Sequence, residues 1–275
     1  MIAVSALPLR GGNTARAAVA IAAAILIWEL GSRSGEWLGV PVPVLGKVPP
    51  PSAVLVSWYG LLGDAGYWQS WYMSFLRVLG GFGAAMIIGI PLGLFMALNR
   101  AFHDTFFPAF EVLRPIPPLA WVPAAIVFWP TQELSIAFIT FLGAFYTIVI
   151  NVVDGARAID SRYFQSAYSM GASRWNVFRR VILPGVIPSI MVGAAVGMGI
   201  TWEVVVAAEM ISGGGSSMSG GGTGGGLGFF IWNSYTGGSY EQIIVGMLSI
   251  GIAGYLSSGA IRLLGDLLTP WLRRR

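Results

Sequence analysis

The sequence predicts an all-α integral membrane protein with six spanning helices and both termini in the cytoplasm. Three observations carry this. Of 275 residues, 55% are hydrophobic and only 10% charged, whereas a soluble globular domain carries about 25% charged residues. Apolar runs of about 20 residues, the length that a hydrocarbon core demands, recur along the chain. The basic residues gather in alternate gaps between those runs, which is the pattern that sets topology.

The runs are Ala17–Gly31, Trp71–Leu98, Phe106–Trp129, Leu134–Val153, Leu183–Ile211 and Ile243–Leu264. The first follows Arg10 and Arg16 and is short enough for a signal peptide. No small-x-small cleavage site follows it, and Trp28-Glu29-Leu30 stands where one would be expected, so a retained span is the reading. The second run repeats small residues every four positions, Gly81, Ala85, Gly89, Gly93 and Ala97. The fifth does the same with Gly185, Ser189, Gly193, Gly197 and Thr201. Such rows let helix backbones approach closely where lipid supplies no hydrophobic force between helices. The third run holds Pro115, Pro117, Pro118 and Pro123, which cannot all sit in one hydrogen-bonded helix. Irregular backbone at membrane depth is tolerated where it lines a cavity or is buried in protein.

With the N-terminus inside, twelve arginines fall on the cytoplasmic side: Arg10, Arg16, Arg100, Arg157, Arg162, Arg174, Arg179, Arg180, Arg262 and Arg273 to Arg275. Arg33 and Lys47 remain outside. The outer segment Gly35–Ser70 contains "VPPPSAVL" (Val48–Leu55), which reads as extended chain running into a short helix, because proline disfavours helix at the residue before it. A second outer loop, Ile211–Gly228, has ten glycines in eighteen residues and reads as a mobile external linker with no phosphate role. There is no internal duplication, so any two-fold symmetry must come from a second chain.

Composition also excludes chemistry. There is no cysteine, so no thiolate metal site can be assembled, and the single histidine, His103, argues against a histidine-rich metal centre or a Ser-His-Asp arrangement. The pI near 9.6 arises from topology-setting arginines without interleaved stacking aromatics, which argues against nucleic acid. With Lys47 the only lysine, no G-x-x-x-x-G-K-[ST] phosphate cradle exists; if ATP is used, another chain binds it.

The large cytoplasmic loop Ala156–Ile182 is the informative stretch. Asp160 or Ser161 can cap a helix reaching about Met170, Gly171 breaks it, and Ser173 can cap a second helix running toward Leu183-Pro184. Tyr163, Phe164, Ala167 and Tyr168 form an apolar edge, either a docking surface or an amphipathic helix lying on lipid. The order Gln165-Ser166-Ala167, three residues, Gly171, nine residues, Val181-x-Leu183-Pro184 resembles the EAA signature of binding-protein-dependent ABC importer permeases. That signature reads E-A-A, three residues, G, nine residues, I-x-L-P; here Gln165 stands for the glutamate and Ser166 for the first alanine. "RPIPPLAWVPAAIVFW" (Arg114–Trp129), "SFLRVLGGF" (Ser74–Phe82), "WEL" (Trp28–Leu30), "PPPSAVL" and "AAEMI" (Ala207–Ile211) resemble the nitrate/sulfonate/bicarbonate group in order and spacing. "LGFFIWNSY" (Leu227–Tyr235) is most similar to its nitrate or bicarbonate branch.

The resemblance implies a type I ABC importer permease fold in the inner membrane, with no catalytic residues and no cofactor of its own. It implies a second copy of the chain, two cytoplasmic ATPase subunits that bind ATP and magnesium, and a periplasmic solute-binding protein or lipoprotein. The coupling residues would be Tyr163, Phe164, Gln165, Ser166, Ala167, Tyr168, Gly171, Ala172, Leu183 and Pro184. Nitrate or nitrite is the expected cargo, then bicarbonate, then a sulfonate such as taurine. An ATP-independent transporter or channel is the rival from another class. Residues expected on the pathway are Arg77, Arg114, Pro117, Pro118, Trp121, Glu203 and Glu209, since ionisable groups inside spans are costly and default to function. Pairing between these arginines and glutamates is the alternative, and the one favoured for Glu203 and Glu209.

Overall fold

The computed structural model describes residues 11–39, 42–213 and 225–272, and among them there is no strand. Twelve α-helices follow one another: α1 Gly11–Ser32, α2 Ser34–Leu38, α3 Pro51–Leu61, α4 Ala65–Leu98, α5 Arg100–Leu113, α6 Val122–Phe128, α7 Gln132–Arg157, α8 Ser161–Ser169, α9 Arg174–Val177, α10 Leu183–Gly213, α11 Leu227–Thr236 and α12 Tyr240–Leu268. Among the described residues, five stretches are long and apolar enough to cross a membrane, and six if a bent pair counts as one span. The chain divides into two compact units, one of the described parts of residues 1–64 with 234–245, the other of 65–233 with 246–272.

In the first unit the "WEL" and "PPPS" stretches meet. The Glu29 carboxylate accepts hydrogen bonds from the Ser52 backbone N–H (3.0 Å) and hydroxyl (2.8 Å) in the first turn of α3. Arg33, one turn beyond Glu29, pairs with it at 2.7 Å and donates to the Ser52 hydroxyl. A carboxylate there satisfies otherwise orphaned helix N–H groups and complements the helix dipole. Pro50 is extended and Pro51 opens the helix, as the proline run predicts.

The second unit is built around α7. Ile136, Ile139, Ala144, Ile148, Val149, Val152 and Val153 are almost wholly shielded from solvent. The small-residue rows of α4 and α10 face it from two sides. A Cβ at Gly81 would fall on the Thr140 side chain, one at Gly93 within 2.8 Å of Val152, and one at Gly193 within 2.7 Å of Asn151. The glycines thus set how near the three axes come, as small residues do between membrane helices. Two polar links tie in α12: Trp202 Nε1 donates to the Ser257 hydroxyl at 2.9 Å, and the Tyr67 and Ser249 hydroxyls lie 2.7 Å apart.

The run Phe106–Trp129 is broken, as its prolines require: α5 and the stretch Pro118–Phe128 meet at 87°. Pro115, Pro117 and Pro118 each lack an N–H and disfavour helix at the residue before them, and Pro117 is itself non-helical (φ −57, ψ 136), so the break falls at them. The helix capped by Ser173 runs toward Leu183-Pro184 as expected and continues through Phe178–Ile182 into α10. Leu183 N–H bonds to the Phe178 carbonyl, five residues back, and this wide π turn absorbs Pro184, which lacks an N–H of its own. Other expectations are changed. Helix α2 and the first residues of α11 lie where outer segments were read. Finally, Gly226, Leu227 and Gly228 are buried rather than part of an external linker; residues 214–224, the rest of that expected linker, lie outside the described residues.

Candidate functional site

The segment between α7 and α10 is organised by a chain of local hydrogen bonds. Asp160 caps α8 by accepting from the Arg162 N–H at 2.9 Å, and Ser173 caps α9 by accepting from the Asn176 N–H. Between the two helices, Gly171 has φ +76, a left-handed conformation open to glycine and strained for other residues. Its N–H bonds to the Tyr168 carbonyl (2.9 Å) and that of Ala172 to the Ala167 carbonyl (3.0 Å). This is a Schellman ending, whose accompanying apolar contact joins the residue four before the glycine to the one after it. Ala167 and Ala172 both pack into the same apolar cluster as Ala156, Val177 and Ile182. The spacing Ala-x-x-x-Gly-Ala is therefore the spacing that this turn requires.

The ten expected coupling residues divide by face. Ala167 is buried and Phe164, Ala172, Leu183 and Pro184 are half-buried, anchoring the segment. Gln165 and Ser166 are exposed and polar, and Tyr163 and Tyr168 point outward, Tyr163 at 61% exposure. Two exposed residues escaped sequence reasoning: Met170 at 81% and Trp175 at 66%, the latter stacked on Phe178 with ring centroids 5.6 Å apart. Their positions in the turn and the first turn of α9 carry no periodic signal; only the cap geometry turns them out.

The bent third segment places Arg114 at the corner. With Pro118, Leu142, Gly143, Tyr146, Thr147, Ile150 and Ile200 it lines a cavity of about 280 Å³. Its guanidinium lies 3.6 Å from Glu111 and is half exposed, so that surface ion pair holds it loosely. Pro117 is exposed, Pro118 and Trp121 are half-buried, and the Trp121 indole N–H is buried without a partner among the described residues. Glu203 is exposed on α10.

Arg77 and Glu209 are brought together. Arg77 Nη1 donates to Glu209 Oε1 at 2.9 Å, while its Nε and Nη2 grip the two oxygens of Glu133. The Ser74 hydroxyl reaches the Glu209 carboxylate at 2.8 Å and accepts from the Leu227 N–H, and the Gly228 N–H donates to Glu209 at 2.9 Å. A Cβ at Gly226 would overlap the Glu209 carboxylate. Three stretches that the sequence set apart, "SFLRVLGGF", "AAEMI" and "LGFF", thus meet at one buried carboxylate, with Glu133 joining from the first turn of α7. Glu133 was missed because it stands at a helix start, where an acidic residue needs no further reason.

Residues 89–275 match the family model described as "Binding-protein-dependent transport system inner membrane component". The chain belongs to this family. It is 35% identical to the nitrate import permease protein NrtB of Synechocystis sp. over 93% of this chain and 89% of that one. It is 32% identical to the bicarbonate transport system permease protein CmpB of Synechococcus elongatus, over 91% and 84%. It is 31% identical to the taurine transport system permease protein TauC of Escherichia coli, over 82% and 80%. Among solved structures, a chain of the inward-facing methionine ABC transporter MetNI superposes with a TM-score of 0.53 at 22% identity, covering 80% of this chain and 97% of that one; this supports the fold alone. The protein is thus an ABC importer permease of the nitrate, bicarbonate and sulfonate group, a multi-pass protein of the inner membrane. Membership implies an ATPase and a substrate-binding protein as partners.

Proposed function

We propose that this permease carries nitrate or nitrite inward, as a homodimer on two ATPase subunits, with a solute-binding protein delivering the anion outside. The observation that carries the coupling role is the outward edge of the α7–α10 segment. A rigid, glycine-capped turn with exposed Tyr163, Tyr168, Met170 and Trp175 suits docking onto a partner better than lying on lipid. Its inner face is packed onto the ends of α7 and α10, so a push on α8 reaches both core helices. ATP-driven closure of the ATPase pair would then rock the two copies against each other. The broken third segment and the Arg114 cavity suit passage of a small anion, because freed backbone N–H groups and a loosely held guanidinium replace part of its hydration. Nitrate is favoured by the likeness to the nitrate permease over 93% of the chain; bicarbonate is the second reading, on the likeness to the bicarbonate permease.

The decisive experiment is uptake of labelled nitrate and bicarbonate by vesicles holding the permease, its ATPase and its binding protein. Gly171→Pro places a residue locked near φ −65° where φ is +76, and should abolish ATP-dependent uptake while membrane insertion is unchanged. Normal uptake by that variant would remove the coupling role; uptake of bicarbonate alone would remove nitrate.

A further inference from the structure

Arg77 serves two carboxylates that it holds very differently. The side chain of Arg77 is 5% exposed, that of Glu209 1%, and that of Glu133 49%. Glu209 is held by Arg77, the Ser74 hydroxyl and the Gly228 N–H together, so it stays put and neutralises the guanidinium. Among the described residues, the Glu133 carboxylate has no partner except Arg77. It is therefore a second anion on a cation already neutralised, half in water and free to leave. Outside, it remains in the first turn of α7, where the helix dipole favours a negative charge.

What Glu133 occupies is the Nε/Nη2 edge of the guanidinium, with Nε to Oε2 at 2.9 Å and Nη2 to the other oxygen. That edge recognises planar anions offering two oxygens side by side. A carboxylate does so, and nitrate and bicarbonate share its flat, trigonal shape and single charge. The site lies at the start of α7, about 36 Å by helix rise from the Arg157 end that meets the coupling segment. It is thus at the opposite end of the core helix from the proposed ATPase contact.

We propose that the Nε/Nη2 edge of Arg77 is a binding subsite for a planar oxyanion, which Glu133 fills as a built-in stand-in until the cargo displaces it. The exchange swaps one negative charge for another, so the buried cluster keeps its charge and no proton moves. Glu209 makes this possible by holding the guanidinium in place while its other edge changes partner. The proposal rests on the reading of this chain as an oxyanion permease and names a site for that cargo.

The test is thermal unfolding of the purified permease–ATPase complex in detergent, titrated with sodium nitrate or bicarbonate against chloride at equal ionic strength. Glu133→Gln removes the competing charge at a half-exposed position. If the wild-type edge is free about one-tenth of the time, the variant should be half-stabilised at about tenfold lower nitrate or bicarbonate. Chloride, which cannot offer two oxygens, should give no such shift, and adding Arg77→Lys to Glu133→Gln should abolish it. If Glu133→Gln changes stability equally in all three anions, Glu133 is a strut and the subsite does not exist. Vesicle uptake is scored separately: a bicarbonate-only shift would sink the nitrate reading while leaving the subsite standing.

Discussion

Among the described residues Glu209 is the acidic side chain that the fold withdraws almost completely from water, and it survives there because three donor groups, the Arg77 guanidinium, the Ser74 hydroxyl and the Gly228 N–H, surround it. Removing one member of a buried pair strands the other and costs about 3–5 kcal/mol. Glu209→Ala should therefore destabilise the permease by an amount in that range, less whatever Glu133 recovers, read as a fall in thermal unfolding temperature. Gly228 depends on the same packing from the other side. A Cβ there would stand 2.3 Å from the Val206 carbonyl oxygen and 2.9 Å from Glu209 Cβ. Gly228→Ala should cost about 1–3 kcal/mol, as overpacked sites do, and should loosen the start of α11. A drop no larger than that of an exposed glycine substitution would mean that the backbone shifts freely and that the clamp is weak.

At the scale of elements, the row of small residues on α4 makes a paired prediction. A Cβ on Gly81 collides with Thr140 of α7, whereas one on Gly83, two residues on, meets nothing within 4 Å. Gly81→Ala should lose about 1–3 kcal/mol of stability, while Gly83→Ala should be neutral or slightly stabilising, since alanine suits a helix better than glycine. Equal effects at the two sites would show that the α4–α7 spacing is not set by that contact. The four-residue period was plain in the sequence, since one substitution per turn on one face is a local pattern. Which helix lay opposite was not, because α4 and α10 carry similar rows and both turn them toward α7. The 87° bend was half legible: the prolines of the third segment forbid a straight helix, but the angle depends on how α5 and α6 pack. The π turn was hidden altogether, since Pro184 could as easily have ended the helix as widened it.

For the molecule as a whole, the coupling segment predicts a partner. An ATP-hydrolysing chain should co-purify with the permease in detergent, and Tyr168→Asp, charging an exposed position on α8, should weaken that association at least as much as it lowers uptake. Gly83→Ala should leave it intact; an association unaffected by Tyr168→Asp would place the contact elsewhere. By itself the sequence determined the membrane class, the apolar runs, the family and the capped break at Gly171, because hydropathy, charge placement and caps act over a few residues. Only the tertiary structure decided that Arg77, Glu133 and Glu209 share one site, and that Gly226 and Gly228 pack on a carboxylate while other glycines face open space. Arg77 and Glu209 are 132 residues apart. No local period links them; they are joined by the cost of an unpaired charge in a low-dielectric interior, which is felt only once α4, α7 and α10 have come together.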